Sequence, residues 1–542
     1  MSFLRSDCAG GQHGETAQCD LLPGTEILRD ASDDAPKQGP VLVPRPSNDP
    51  SDPLTWSKTW KYLVVGTQFL YLFVSVESAL SMGPMSPFFS EEFGLDDTQL
   101  SLLTGTCVLA LGFANFIIVP CSNIFGRRVT SLALCLLGAA TCIWQALATS
   151  YSSLLAARAI NGIATATSET ILVQVVSDVF FLHDRGLWTG VYFMGYFLGL
   201  FIGPIIAGNI AQRFGWRSFF WLSLAMTGVN LVMLAVFFPE TKYSRPTNDP
   251  SASSSSSSHE VVSSNDPKSD SIQLEHIDPD DRNLTTVVGK GRPTKSQFRL
   301  WQSPDPNWKR FLVRDTFSSI TVFFFPIILW AGLNVAGPAN VLLYWNLTES
   351  AILSAPPNNF SPSAVGYSNF AFVVGGTLGL LTAGPFSDWI AMRATAANNG
   401  IREAEMRLPA LVPYFITSVV GIVVGGVGYA REWDWPVLVV VGYGFTGLCV
   451  TAVPTIAVAY AVDCYRAISG EIMVVATVIK NSCGFAMSYW VFPLAARRGW
   501  LTPAMVQLAL TAGPMVLGLP VYFFGKVLRA RTRNARVHSY GE

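Results

Sequence analysis

Residues 62–82 read YLVVGTQFLYLFVSVESALSM, an otherwise apolar or uncharged run long enough to cross a bilayer, with the carboxylate of Glu77 inside it. A charge at mid-membrane costs roughly 2.5 to 3.5 kcal/mol on insertion scales, so such groups face a bundle interior, a water-filled cavity or a partner. The same problem recurs at Arg158, Glu169 and Lys480. Unlike charges inside apolar spans point to a chain that moves something polar across lipid.

Composition agrees. Of 542 residues, 50% are hydrophobic and 13% charged, against about 25% charged in an ordinary soluble domain. The net charge of -1 gives no reason to expect nucleic acid as a partner. The 9 cysteines have no paired metal spacing, and Cys107, Cys135, Cys142, Cys449 and Cys483 fall inside apolar runs, where they read as small core hydrophobes. No metal or cofactor is expected.

A spanning helix needs about 20 mostly apolar residues, and the chain supplies twelve such runs in two sets of six. They lie near 62–83, 100–119, 130–149, 154–180, 187–209 and 218–238, then near 316–345, 364–385, 409–430, 436–460, 471–493 and 503–525. The expected organisation is a disordered tail (1–60), a six-helix bundle (61–240), a flexible central loop with the serine run 253–258 (241–312), a second six-helix bundle (313–526) and a short basic tail (527–542). No cleavable signal peptide is visible.

Lysine and arginine set the orientation. Lys58, Lys61, Arg127, Arg128, Arg185, Lys309, Arg310, Arg393, Arg402, Arg407, Arg466, Lys526 and Arg529 fall on one side, while Glu91, Glu92, Asp96 and Asp97 open the other; Arg213, Arg217, Arg431, Arg497 and Arg498 dilute the bias. Both termini are therefore expected in the cytosol. Of two Asn-Leu-Thr triplets, Asn346 falls outside and Asn283 inside, so Asn346 alone is a glycosylation candidate, with proximity to the membrane a possible block.

After the second span the chain reads Val119-Pro-Cys-Ser-Asn-Ile-Phe-Gly-Arg-Arg128. This resembles the Gly-x-Leu-Ala-Asp-Arg-x-Gly-Arg-Arg loop of the major facilitator superfamily: Gly126, Arg127 and Arg128 match, while Val119 and Asn123 depart. The equivalent Gly384-Pro-Phe-Ser-Asp388 retains the acid. Arg158-Ala-Ile-Asn-Gly162 resembles the family's fourth-helix motif. Gly195, Gly199, Gly203-Pro204 and Gly208 are similar to the fifth-helix signature of its antiporters, and Pro239-Glu-Thr-Lys242 closes the sixth span as in many members. Asp178 with His183-Asp-Arg-Gly186, Asn398-Asn-Gly-Ile-Arg-Glu403 and Glu405-Met-Arg407 resemble the fungal drug:proton antiporter branch. The resemblance implies an all-α membrane protein of twelve transmembrane helices in two six-helix halves. It also implies a loop acid that latches the halves on the cytosolic side, a latch put in doubt in the first half by Asn123.

Each motif also has a physical reading. Gly195, Gly199 and Gly203 form a stripe that admits a close helix, and Pro204 removes a backbone donor; the stripe reads either as a sliding surface between halves or as static packing. Arg158 and Glu169, eleven residues apart, fall on one helix face about 16 Å apart at 1.5 Å per residue, a cavity lining that Glu77 could approach. One of Glu77 or Glu169 is expected to carry a proton, with Arg158 tuning it; the alternative is a static ion pair that orders the bundle. Asn334, Asn340, Lys480, Asn481 and Trp330 are candidates for contact with cargo, the amides alternatively for interhelical bonding. Pro326, Gly332, Gly337 and Pro338 suggest that the seventh span is broken beside the cavity.

The expected function is secondary active transport by alternating access, with proton-coupled efflux of a small organic compound, a secondary metabolite or xenobiotic, favoured. Alternatives are a proton-coupled importer of an organic cation or polyamine and a non-transporting nutrient sensor on the same fold. No nucleotide-binding loop or catalytic constellation is present, so an enzyme is not expected. Expected partners are the cargo, protons and the lipid bilayer, with the chain monomeric in the plasma membrane.

Overall fold

The computed structural model describes residues 25–27, 47, 49, 51–243, 289, 291–299, 308–309, 320–398, 401–465 and 468–532, without the side chains of 26, 27, 182–187, 189 and 469. Asn283, the serine run 253–258, Arg310, Arg466, the side chain of Arg185 and most of both tails lie outside the described residues.

The first half contains Lys58–Leu80, Asp97–Phe125, Arg127–Ala146, the pair Tyr151–Thr165 and Thr167–Val179, Leu182–Phe214 and Trp216–Phe237. The second contains Pro326–Leu353, Pro362–Ala397, Ala404–Ala430, Trp435–Cys464, Ser469–Arg498 and the pair Leu501–Val516 and Gly518–Thr532. Ten of these helices are long and apolar enough to cross a membrane, and the final pair, bent by 41°, makes an eleventh. The fourth span, which carries Arg158 and Glu169, completes twelve in the expected order.

Local chemistry sets the ends. Asp96 and Gln99 form a capping box at the start of the second span, and Ser150 accepts from the Ser153 N–H at the start of the fourth. The second and third spans are joined through Gly126 alone, at φ +101°, a backbone conformation that side chains rarely adopt. Large apolar side chains such as Phe113, Ile117, Val229, Leu381 and Phe523 face outward, while many polar groups are buried. That inversion suits a chain whose surroundings are hydrocarbon.

The halves meet along two helix pairs. The second span packs on the eleventh: Ser101 and Ser488 exchange hydroxyl-to-carbonyl hydrogen bonds (2.9 and 3.0 Å), and Gly112 leaves room for Asn481. The fifth packs on the eighth through Gly208 beneath the Pro362 carbonyl, Gly366 beneath the Pro204 carbonyl and Phe201 stacked on Phe372 at 5.8 Å. The glycine stripe itself lies elsewhere. Gly195 faces Phe69 and Leu72, Gly199 faces the Phe73 backbone and Val76, and Gly203 faces Glu77 and Ser81, all on the first span. It seats two helices of the same half, so the expected sliding surface between halves is not there; only Gly208, at its end, touches the other half.

Three further differences affect the site. The seventh span is continuous from Pro326 to Leu353 with Pro338 inside it, and its break precedes it at 324–325. The fourth span breaks instead, at Ala166, whose N–H reaches both the Gly162 and Ile163 carbonyls. Parts of the expected tail and central loop are folded: Thr25–Ile27 pairs antiparallel with Ile401–Glu403, and Ser57 donates to the Gly291 carbonyl (2.9 Å). Thr25 also accepts from Arg529, which places the described parts of both terminal segments at one end of the bundle. The opposite end of the bundle is its far end.

Candidate substrate and ion-coupling site

The break at Ala166 starts a new helix at Thr167 and puts Glu169 in its first turn. The positive end of the helix dipole favours a carboxylate there by several tenths of a kcal/mol. Glu169 is 1% exposed, and its carboxylate forms an ion pair with Lys480 of the eleventh span, in the other half. Lys480 Nζ also donates to the Tyr196 hydroxyl (3.0 Å) and stands 4.8 Å from that ring's centre. Tyr196 donates to Glu169 Oε1 (3.2 Å), Asn481 Nδ2 to Oε2 (3.4 Å), and the Tyr192 hydroxyl to the Glu169 carbonyl (3.2 Å). Both carboxylate oxygens of Glu169 thus have partners, and the cluster draws on three spans in two halves.

A cavity of about 50 Å³ adjoins the cluster, lined by Tyr192, Phe193, Val335, Ala339, Pro454 and Met473 among others. A water needs roughly 10 to 15 Å³ measured in this way, and a drug-sized ligand several hundred. The halves are therefore closed around the pair, with space for a few waters and none for an organic cargo.

The other expected site residues separate from this cluster. Glu77 is fully buried inside the first half, where the Ser223 hydroxyl approaches both carboxylate oxygens (3.3 and 3.4 Å). Arg158 meets no carboxylate among the described residues: it donates to the carbonyls of Ser78, Ala79 and Leu103 and to Gln145 Oε1. The first two are carbonyls of the last turn of the first span, which no further helical N–H can satisfy. Arg158 therefore ties helix ends together, and the expected shared face with Glu169 is broken by the turn at Ala166.

Asn334 and Trp330 also leave the cavity. Both donate to the Pro514 carbonyl of the last span, at 3.3 and 2.9 Å. The cavity face of the seventh span is formed by Val335 and Ala339, one helical step away. Asn340 lies against Gly484 at the junction of the seventh and eleventh spans. Asn346 is 6% exposed and lies two turns before the end of the helix Pro326–Leu353 rather than in an outer loop, an environment that disfavours a glycosylation acceptor.

At the terminal end, Glu240 closes the first half. Its carboxylate accepts from the N–H groups of Arg127 (2.8 Å), Arg128 (3.1 Å) and Lys242 (2.9 Å), at the N-terminus of the third span. Gly126 is required there, because a Cβ would strike that carboxylate. Arg128 donates to the Leu234, Ala235 and Phe238 carbonyls at the end of the sixth span, while Arg127 bridges Asn123 (2.6 Å) and Asp178 (3.2 Å). In the second half Arg407 bridges Asp388 (2.7 Å) and Asp463 (2.8 Å) in the same manner. Asn123 thus fills an acid's place by accepting through its amide oxygen, and Asp388 pairs within its own half.

Tyr192, Tyr196 and Glu240 were not singled out as site residues from sequence. The four-residue spacing of the two tyrosines in a glycine-rich span was the available signal.

A family model of the Major Facilitator Superfamily matches residues 68–486. An MFS-type transporter of Schizosaccharomyces pombe is 27% identical over 91% of this chain and 88% of its own length. Protein HOL1 of Saccharomyces cerevisiae is 25% identical over 91% of each chain, and the efflux pump vrtL of Penicillium aethiopicum 24% identical over 99% of this chain and all of its own.

Proposed function

Because this chain belongs to the Major Facilitator Superfamily, and is a multi-pass membrane transporter of fungal type rather than an enzyme, we propose that it exchanges protons for a small organic compound, exporting the compound by alternating access. The carrying observation is the ion pair between Glu169 and Lys480, which joins the halves beside the cavity. Removing one charge from a buried pair costs about 3 to 5 kcal/mol, enough to shift a balance between closed and open forms. A proton on Glu169 removes the attraction and frees Lys480, the halves part, and cargo reaches the aromatic walls of Tyr192, Phe193 and Tyr196. Efflux is supported by the similarity to the Penicillium efflux pump vrtL. A plasma-membrane location, a monomeric state and cytosolic termini complete the reading, the last supported by the lysine and arginine bias and by Thr25 lying against Arg529.

A second reading has one observation in its favour. The Lys480 ammonium sits over the Tyr196 ring and on Glu169, so an organic cation could replace it in an importer. The two are separated in proteoliposomes with a pH dye inside, using compounds that accumulate in cells lacking the intact gene. Outward cargo movement with inward proton movement, lost in Glu169→Gln, supports exchange. Cargo and proton moving together supports import. Ligand binding without either flux sinks both and leaves a sensor.

A further inference from the structure

Glu349 lies four residues before the end of the seventh span and is fully buried. Its Oε2 accepts from Asn369 Nδ2 of the eighth span (3.0 Å), and its Oε1 has no partner. The side-chain oxygens of Asn346, one helical turn earlier, and of Asn369 are also buried and without a donor. An unpaired ionised carboxylate is expensive to bury, and the C-terminal end of a helix dipole adds repulsion. One proton on Glu349 would turn an orphaned acceptor into a donor beside two other acceptors that lack one.

The position links this chemistry to movement. Gly83, just beyond the first span of the other half, approaches so closely that a Cβ there would lie 2.8 Å from Glu349 Oε1 and 2.6 Å from the Asn346 carbonyl oxygen. The far end is therefore shut over Glu349. The titratable groups turned toward it are Tyr429 of the ninth span and Tyr443 of the tenth, whose hydroxyls bond each other at 2.7 Å. The first and eighth spans present Gly83 and Asn369, both uncharged, and no Lys, Arg or His pairs with Glu349 among the described residues.

We propose that Glu349 is a second proton-binding residue, separate from Glu169, that is protonated when the far end is closed and ionised when that end opens to water. Rising pH then favours opening at the far end and falling pH favours closure. This deepens the alternating-access reading and rests on it, while requiring no knowledge of the cargo.

Hydrogen–deuterium exchange on the purified full chain in lipid nanodiscs tests it, corrected for the intrinsic pH dependence of amide exchange. In the wild type, protection of peptides covering residues 83–95 and 354–368 should fall by up to about ten-fold per pH unit through the titration. Glu349→Gln, neutral at every pH, should keep those peptides protected throughout, and Glu349→Asp should restore a response. Glu169→Gln, which loses the pair that joins the halves, should shift the overall level of protection but keep its dependence on pH, because Glu349 is unchanged. A wild type without the response, or a Glu349→Gln variant that follows it, overturns the proposal whether or not proteoliposomes carry protons. A response lost in Glu169→Gln but kept in Glu349→Gln also overturns it. Protection that changes at fixed pH when sodium replaces potassium would assign the orphaned oxygens to a metal cation instead.

Discussion

Lys480 of the second half and Glu169 of the first are 311 positions apart in sequence and form one buried ion pair, with Tyr196 bonded to both. The pair belongs to neither bundle alone, so its strength is part of the energy that holds the bundles together. Glu169→Gln and Lys480→Met should each lower thermal stability in the closed form, and the double variant should lose less than the sum. The expected coupling is about 0.5 to 3 kcal/mol, read from melting of the four proteins in detergent at fixed pH. Additive losses would remove the pair from the closure.

Glu77 provides the contrast. Glutamine there keeps the shape and can still bond Ser223 inside the first half. Glu77→Gln is expected to retain pH-driven exchange within about two-fold, about 0.4 kcal/mol, whereas Glu169→Gln abolishes it. The check is the same vesicle assay on both variants; the reverse pattern would move the coupling site into the first bundle.

The glycine stripe gives a test of packing. A side chain at Gly199 meets the Phe73 carbonyl oxygen, 2.7 Å from an added Cβ, and Val76 at 3.1 Å, on a helix that cannot withdraw. Gly199→Leu should lose about 1 to 3 kcal/mol or more of stability, seen as lower folded yield and melting temperature. A variant that melts as the wild type does yet has lost flux would restore a sliding role.

Glu240 carries three backbone N–H groups in its carboxylate. Truncation to alanine leaves two buried donors at the start of the third span unpaired, each worth about 1 to 3 kcal/mol. Glu240→Ala should therefore destabilise the first half more than Asp388→Ala destabilises the second, since the Asp388 side chain is 55% exposed and its ion pair is worth correspondingly little. Limited proteolysis within each half compares the two.

How far the sequence could be read follows from what each signal reports. Length and hydropathy located twelve spans, because crossing hydrocarbon demands a minimum length of apolar helix. The mid-span charges Glu169 and Lys480 were visible for the same reason. What they touched was not, because Arg158 and Glu169 share a face only if the helix between them is unbroken, and nothing in Ala164-Thr-Ala-Thr167 marks the turn. Asn334 and Trp330 illustrate the finer limit: a rotation of one residue, 100°, separates the cavity face at Val335 from a bond to Pro514. Glu349 was missed because an apolar window ends at the first polar cluster, while the helix continues through Asn346-Leu-Thr-Glu349 to Leu353.

That last extension changes the chemistry of Asn346. An acceptor asparagine has to enter the glycosylating enzyme's site in an exposed, extended segment, whereas this one lies inside a helix, is 6% exposed and packs its carbonyl toward Gly83 of the other half. A glycan there would need the far end to come apart and the last two turns of the helix to unwind. The peptide containing Asn346, recovered from protein made in a glycosylating fungal host, should have its unmodified mass before and after peptide-N-glycosidase treatment. A deamidated Asn346 appearing only after the enzyme would mean that the seventh span ends near Trp345. Glu349 would then lie in an exposed loop, and the proton site proposed for it would lose its burial.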